Sequence, residues 1–409
     1  MADGLSNISK KIICVLRQRR DLSKSKIANY LQLPWSTVAT AINALEGTYI
    51  HKNTQSSYGA DIKLNQNFEY YCGISVGSSN IKIVLCDFNL QIPPKEAFAE
   101  NDAFLNYCSV LSDKLGFDSD DSILCEWCKE SPSKTEVIRT LIREITYEIC
   151  NLKSIMNIVA ICYTFPGYID YDRQIIVNSF SNKNSTGFLN LTIDALLGSV
   201  VINELKKQNI IFFIDHNIKS CTIAEKEHLQ NSNSSYNDEN LLVLYLGQGI
   251  SLGMVFNNQL YRGNNNRASE FGKTFVYVNK NGQEPMYKPL EDAIREDVFL
   301  SNSLSVSAKD LCYFLRDSNH EENRKLLINI LTQAIYNITN ILGINKIIFS
   351  GKMHLIFKEV EWELISNLEE KNLTNLSLIK SGYKEYSAAA GAAISCYYRK
   401  YSCDFNWYE

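Results

Sequence analysis

The sequence predicts an α/β protein that carries a winged helix-turn-helix module at its N-terminal end. Three observations predict it. From about residue 68 onward, apolar strands and amphipathic helices alternate, which is the pattern of an α/β body. Ahead of them, residues 6–66 read as helix, helix, turn, helix and a short hairpin. Charge separates the two parts. Residues 1–66 hold nine Lys and Arg against four Asp and Glu, whereas the rest holds 32 of the 41 basic and 41 of the 45 acidic residues. A small basic segment on a larger acidic body suggests one part that faces nucleic acid and one that does something else.

In the module, Leu5, Ile8, Ile12, Val15 and Leu16 recur at helical spacing. Ser23 is the expected N-cap of a second helix carrying Ile27, Tyr30 and Leu31. Pro34 suits the first turn of a third, whose stripe Val38, Ile42, Leu45 is expected to be buried. On a helical wheel Ser36, Thr40 and Asn43 fall opposite that stripe, with Thr37 and Ala44 flanking. Small polar residues on the outer face of such a helix suit base edges in the major groove. The segment after Gly47, TYIHKNTQSSYGADIKLN, reads as a wing of two short strands around a polar tip. Lys52 and Lys63 lie on it within reach of phosphates, so Ser36, Thr37, Thr40, Asn43 and Lys52 are the candidate DNA-contacting residues. A three-helix bundle used only for dimerisation is the competing reading. The basic charge and the position-by-position match of ANYLQLPWSTVATAINAL to a helix-turn-helix weigh against it.

The body opens on YYCGISVGSSNIKIVLCDFN, a strand, a tight turn at Gly77-Ser78-Ser79 and a second strand. Such a turn brings backbone amides towards a phosphate, but any hairpin needs one as well. Residues 89–132 read as an insert with one helix near 102–114. A helix over about 133–152 leads to the strand IVAICYTFPGYID, and VVINELKKQNIIFFID is a helix and strand running into the helical HNIKSCTIAEKEHL. LLVLYLGQGISLGMVFNNQLYRG reads as a hairpin of two apolar strands around a glycine-rich turn. Helices are expected at about 306–317 and 321–342, then the strand KIIFS and a last helix through EYSAAAGAAISCYYRKY.

The order of these features resembles the ROK family (repressors, open reading frames, kinases), and its repressor branch in particular because of the winged helix. The matching stretches are GISVGSSNIKIVLCD, YTFPGYID, DHNIKSCTIAE, LYLGQGISLGMVFNNQLYRGNNNRASEFGK and AAAGAAI, spanning nearly the whole chain. The resemblance implies an actin/hexokinase-like body of two ribonuclease-H-like lobes, with a sugar site that in the kinases adjoins ATP. The expected domains are a DNA-binding domain over 1–66, a first lobe over 67–200 completed by a C-terminal helix at about 386–409, and a second lobe over 201–385.

Departures from the family pattern bear on chemistry. Sugar phosphorylation needs a base at the attacking hydroxyl and a magnesium-phosphate site. Where the family has an Asn-Asp pair whose Asp is the base, this chain has His216-Asn217. Where the first phosphate loop begins with Asp, it has Ser75. An amide does not accept a proton as a carboxylate does. The second phosphate loop keeps Gly247, Gly249 and Gly253 but has Gln248 in place of Thr, and these glycines would equally serve a hairpin. The family's zinc motif is missing: its His position is Lys273, and no cysteine lies between Cys221 and Cys312. No catalytic residue, metal or cofactor is therefore expected. Glu270 and Glu291 match the family's sugar-facing glutamates, although they would also serve as solvated surface acids. With His216, Asn217 and Lys273 they form the candidate effector site. The wing tip, Tyr58-Gly59-Ala60-Asp61, lacks the Arg with which family repressors reach the minor groove.

The expected function is a DNA-binding regulator of carbohydrate-use genes, a repressor acting as a homodimer or dimer of dimers on a palindromic operator, with a small sugar or sugar phosphate as effector. The alternatives are a sugar kinase and a ligand-free scaffold. No apolar run reaches the roughly 18 residues that cross a bilayer, and charges mixed into the first helix argue against a secretory signal, so a cytoplasmic protein is expected. The twelve cysteines sit mostly in apolar surroundings and read as reduced core residues. Cys125 and Cys128 have CxxC spacing but no second pair to complete a zinc site.

Overall fold

The protein was analysed as a computed structural model that describes residues 5–401 apart from 20–21, 54–60, 78–79, 94–97, 99–107, 110–111, 113–115, 117, 120–125, 131–133, 180–186, 233–238, 248, 281, 283, 300–307 and 352. The chain divides into two units. The first comprises 1–215, 227–237 and 389–409, the second 216–226 and 238–388.

The first unit begins with the module. Helix α1 (Asn7–Arg19) starts at Ser6, whose hydroxyl accepts the Ser9 N–H, and it buries Ile12, Ile13 and Leu16. Ser23 caps α2 (Lys24–Leu31) as expected, accepting from the Lys26 amide. Pro34 is the N-cap residue of α3 (Trp35–Leu45) rather than part of its first turn. Helix α3 buries Val38, Ile42 and Leu45, joined by Ala39. Strands β1 (Ile50–Asn53) and β2 (Asp61–Leu64) pair antiparallel, with Lys52 opposite Ile62. The expected wing tip at 58–60 lies outside the described residues.

The body of this unit is a mixed sheet. Strand β3 (Tyr70–Val76) turns back antiparallel into β4 (Asn80–Cys86), next to which run β6 (Glu126–Glu130) and, at the edge, β5 (Asp118–Ser119). On its other side β3 runs parallel to β7 (Ile158–Phe165), giving the order β11-β7-β3-β4-β6-β5 with β11 (Ile211–His216) at the far edge. Every residue of β3 and β7 is buried, as continuous apolar runs at the centre of a parallel pair require. Strands β8 (Tyr168–Asp170), β9 (Ile175–Asn178) and β10 (Leu189–Thr192) form a small antiparallel sheet. Helices α4 (Thr135–Leu152) and α5 (Ile193–Lys207) supply Ile138, Leu141, Ile142, Ile145, Leu196 and Leu205 to the core beneath the sheet. The helix expected near 102–114 falls largely outside the described residues, as does Cys125. Cys14, Cys72, Cys86, Cys108, Cys150, Cys162, Cys221 and Cys396 are free and buried, and Cys312 is free and half-buried. Burial raises the Cys150 thiol to about 11 and Cys108 to about 12, so neither forms the reactive thiolate near neutral pH.

The second unit repeats the scheme. After helix α6 (Asn217–Ser232), strands β12 (Leu241–Leu246) and β13 (Ile250–Phe256) form a hairpin extended by β14 (Gln259–Leu260). A ribbon of β15 (Phe275–Val278) and β16 (Met286–Pro289) follows, then helices α7 (Ala308–Arg316) and α8 (Glu321–Leu342). Strand β17 (Lys346–Gly351) runs parallel to β12, and after α9 (Met353–Glu369) strand β18 (Ser377–Lys380) runs parallel to β17. The order β14-β13-β12-β17-β18 thus has the arrangement of β6-β4-β3-β7-β11 in the first unit. The first strand of a hairpin stands at the centre, the returning strand lies on one side, and a parallel strand followed by an edge strand lies on the other. The last element among the described residues is α10 (Ser387–Tyr401), most of which belongs to the first unit. No helix among the described residues is long and apolar enough to cross a membrane.

Each sheet has a glycine where a helix lies directly on it. A Cβ on Gly73 in β3 would stand 1.9 Å from the Ala389 carbonyl oxygen and 2.5 Å from the Ala393 nitrogen. The alanine-rich start of α10 is therefore a close-packing surface. In the second unit a Cβ on Gly253 would stand 1.7 Å from Thr222 Oγ1 of α6. Gly253 is thus required neither by a phosphate loop nor by the hairpin turn; it lies mid-strand opposite Val243 and makes room for α6.

Candidate functional sites

On α3 the outward positions are as the wheel places them: Ser36, Thr40 and Asn43 are exposed and Thr37 is half-buried. Their polar atoms are partly occupied from within. Thr40 Oγ1 donates to the Ser36 carbonyl at 2.9 Å, and Asn43 Oδ1 accepts from Lys24 Nζ at 3.2 Å. The Lys52 ammonium forms an ion pair with Glu46. Trp35, the first residue of α3, is 57% exposed and was not singled out by sequence reasoning. A large indole at the start of the outward helix, where helix-turn-helix proteins meet base edges, is the signal that marks it.

All five candidate effector residues belong to the second unit, and three separate segments of that unit supply them. His216 and Asn217 stand where β11 passes into α6. His216 is buried, and its Nδ1 accepts the Ile218 amide at 3.1 Å, which orients the ring and satisfies one N–H of the first helical turn. Glu270 and Lys273 lie on the short turn of Phe271–Lys273 and form an exposed ion pair. Glu291 opens the helical turn Leu290–Asp292. Its Oε2 accepts the Ile250 amide at 3.4 Å and would lie 3.0 Å and 2.9 Å from Cβ atoms on Gly249 and Gly272. Glu291 therefore sits against both the β12–β13 turn and the Glu270–Lys273 turn. Gln248 lies outside the described residues.

What ties the start of α6 to the segment before Glu270 is a residue the sequence reading missed. Lys219 in the first turn of α6 is wholly buried. Its ammonium donates to the Tyr261 carbonyl at 3.0 Å, the Ala268 carbonyl at 2.9 Å and Ser269 Oγ at 2.7 Å. Three acceptors match the three N–H bonds of an ammonium group. Ser269 has φ 114°, a conformation costly for a residue with a Cβ, and it immediately precedes Glu270. Lys219 thus fixes the strained residue that aims Glu270, two residues after Asn217 in the chain. Glu225, two turns further along α6, is a second missed residue. Its carboxylate accepts from the hydroxyls of Ser350, Ser381 and Ser387 and from the Gly382 amide, tying the ends of β17 and β18 to the helix. Among the described residues no three of His, Cys, Asp and Glu stand where they could hold one metal ion.

Two units of the same hairpin-and-parallel topology, preceded by a winged helix-turn-helix, define a DNA-binding type of module on a sugar-kinase-like body. The chain belongs to the ROK family, whose model matches residues 117–396. It is 23% identical over 351 residues to a xylose repressor of Staphylococcus xylosus, an alignment covering 80% of this chain and 78% of that protein. Among solved structures it is similar to a ROK family transcriptional regulator described as a homologue of the E. coli MLC protein, with TM-score 0.66, 15% identity and 96% of each chain covered. It is also similar to a ROK hexokinase from Thermus thermophilus, with TM-score 0.53, 16% identity, 81% of this chain and 98% of that chain covered. The hexokinase likeness covers about four fifths of this chain and the regulator likeness nearly all of it, and both are likenesses of fold.

Proposed function

We propose that this protein is a sugar-responsive transcriptional repressor, whose winged helix binds duplex DNA and whose body binds a small carbohydrate without phosphorylating it. The observation that carries the DNA half is the exposed polar face of Ser36, Thr40 and Asn43 on the third helix of a basic module. The cluster of Glu270, Glu291, His216, Asn217 and Lys273 around the Lys219-held loop supports the sugar half. Carboxylates and amides in that density suit the vicinal hydroxyls of a sugar. The xylose repressor among its relatives points to D-xylose as the first sugar to try. Ser75, buried in β3, and Asn217 stand where the kinases place carboxylates, which supports a body that does no chemistry. A two-fold dimer in the cytoplasm would present two α3 helices to a palindrome, one or more helical turns apart.

The test is binding of the full chain to the DNA upstream of its own gene. Affinity is expected to fall steeply and linearly on a log–log salt plot as phosphate contacts release counterions. Thr40→Ala should cost about 1 kcal/mol of affinity and relax sequence preference. D-xylose or a related sugar should raise the melting temperature and change DNA affinity. A salt-insensitive interaction would overturn the repressor reading, and so would sustained ATP-dependent phosphorylation of hexoses or pentoses by the wild-type chain without any sugar effect on DNA binding.

A further inference from the structure

Arg17 lies on the third turn of α1, in a basic module, yet it is 3% exposed. Its Nη2 stands 3.2 Å from Glu227 Oε1 on α6 and 3.3 Å from the Tyr398 hydroxyl on α10. Tyr398 in turn donates to Glu227 Oε2 at 2.6 Å. The guanidinium lies 4.8 Å from the centre of the Tyr397 ring and 5.6 Å from that of Tyr398. Burial works against its charge, but Glu227 and Tyr398 hold it protonated, well above its ordinary value. Arg17 Nε and Nη1 are buried with no hydrogen-bond partner.

Stability does not explain such a contact. Both side chains are 1% exposed, and an ion pair this dry repays its desolvation only with complete hydrogen bonding, which Arg17 lacks. Apolar side chains of the same volume would hold the three helices at least as well. An ion pair is more particular: it is satisfied in one register of the three helices and costly in any other. Its position on α6 gives that register a use. Residues 217–226 of α6 and the preceding His216 belong to the second unit and Glu227 to the first, so the division between units falls inside one helix. Asn217 and Lys219 stand at its start. Glu227 follows Asn217 by ten residues, about 15 Å along a rigid helix.

We propose that Arg17, Glu227 and Tyr398 are positioning residues forming a latch, through which occupancy of the effector site is transmitted along α6 to the DNA-binding module. A ligand that shifts Asn217 and Lys219 displaces the Glu227 carboxylate with them. The latch then no longer fits its register, and α1 leaves the pose that sets α3 on DNA. The latch carries coupling, and neither binding event by itself needs it.

This rests on the proposed function, and the experiment separates the two. DNA affinity of the full chain is measured with and without D-xylose, for wild type, Glu227→Gln and the double variant Arg17→Met/Glu227→Met. The double variant removes both charges and so leaves no lone buried ion. It is expected to keep the wild-type circular dichroism, and to keep DNA affinity without sugar and the sugar dissociation constant within about threefold. The sugar-induced change in DNA affinity is expected to fall from about tenfold or more to less than twofold, a typical coupling removed. Undiminished coupling in the folded double variant would overturn the latch while leaving the repressor reading intact. Failure of the double variant to fold would show the contact to be structural and overturn it too. No sugar response in the wild type would bring down the repressor reading and the latch with it.

Discussion

Lys219→Met should lower the melting temperature by on the order of 10 °C and abolish any sugar-induced thermal shift. The ammonium satisfies two carbonyls and a hydroxyl in a dry interior, and Ser269 depends on it to hold φ 114°. Removing it leaves a buried hydroxyl and two part-buried carbonyls unmatched. Breaking such a charged network costs about 3–5 kcal/mol, and in a body of this size each kcal/mol moves the midpoint by roughly 2–4 °C. The control is Lys273→Met. Its ion pair with Glu270 joins side chains 63% and 47% exposed, and pairs of that kind contribute about 0–1 kcal/mol. Thermal melts of the two variants side by side test both numbers. A Lys219→Met protein that melts with wild type would mean that the loop over 261–269 is held by its own turns.

Gly73→Ala is expected to do comparable damage. The added methyl would meet two backbone atoms of α10, and backbone cannot rotate away as a flexible side chain can. Overpacking at a yielding site costs about 1–3 kcal/mol. Here the helix itself must move off β3, so a loss of at least about 3 kcal/mol and poor soluble yield are expected. Gly343→Ala is the comparison: no atom lies within 4 Å of its Cβ position, though its φ of +65° carries a small penalty. Urea titrations that rank Gly343→Ala as the more damaging would refute the close contact between β3 and α10.

Much of the fold is legible because burial and period agree. The stripe Val38, Ile42, Leu45 and the cap Ser23 mark the module, and the all-apolar runs of β3 and β7 mark central strands. The ribbon β15–β16 was not read. Its FVYV run is apolar in both phases, with Val276 and Val278 buried and Phe275 and Tyr277 exposed, so alternation gives no sign of which face is which. Helix α9 was missed although its signal is present. Ile356, Val360, Leu364 and Leu368 recur every fourth residue and are all buried.

The candidate site was harder for a physical reason. Pattern reading assigns charge to the outside, and α6 reverses that rule: Lys219, Glu225, Lys226 and Glu227 are each 1% exposed or less. Nothing in NIKSCTIAEKEH distinguishes a buried lysine from a solvated one, because the partners that satisfy it come from segments up to 50 residues away for Lys219 and 162 for Glu225. Glu270, Lys273 and Glu291 were found through their match to family positions, whereas Lys219, which holds the residue before Glu270, has no local signature.

The return of α10 to the first unit has a consequence for how the protein is made. Residues up to 215 leave the ribosome long before Ala389, and 173 residues of the second unit and its neighbours separate Asp215 from that helix. Until α10 arrives, Gly73 faces no helix, Tyr398 is absent beside Arg17, and Glu69 lacks Lys400 and Tyr401. The N-terminal module acquires its contacts with α10 only once residues 398–401 have been translated. A message broken before that point would yield fragments with an open sheet and an unseated module, fit for chaperones and proteases rather than for an operator. Synthesis through α10 is thus a precondition for closing the first unit.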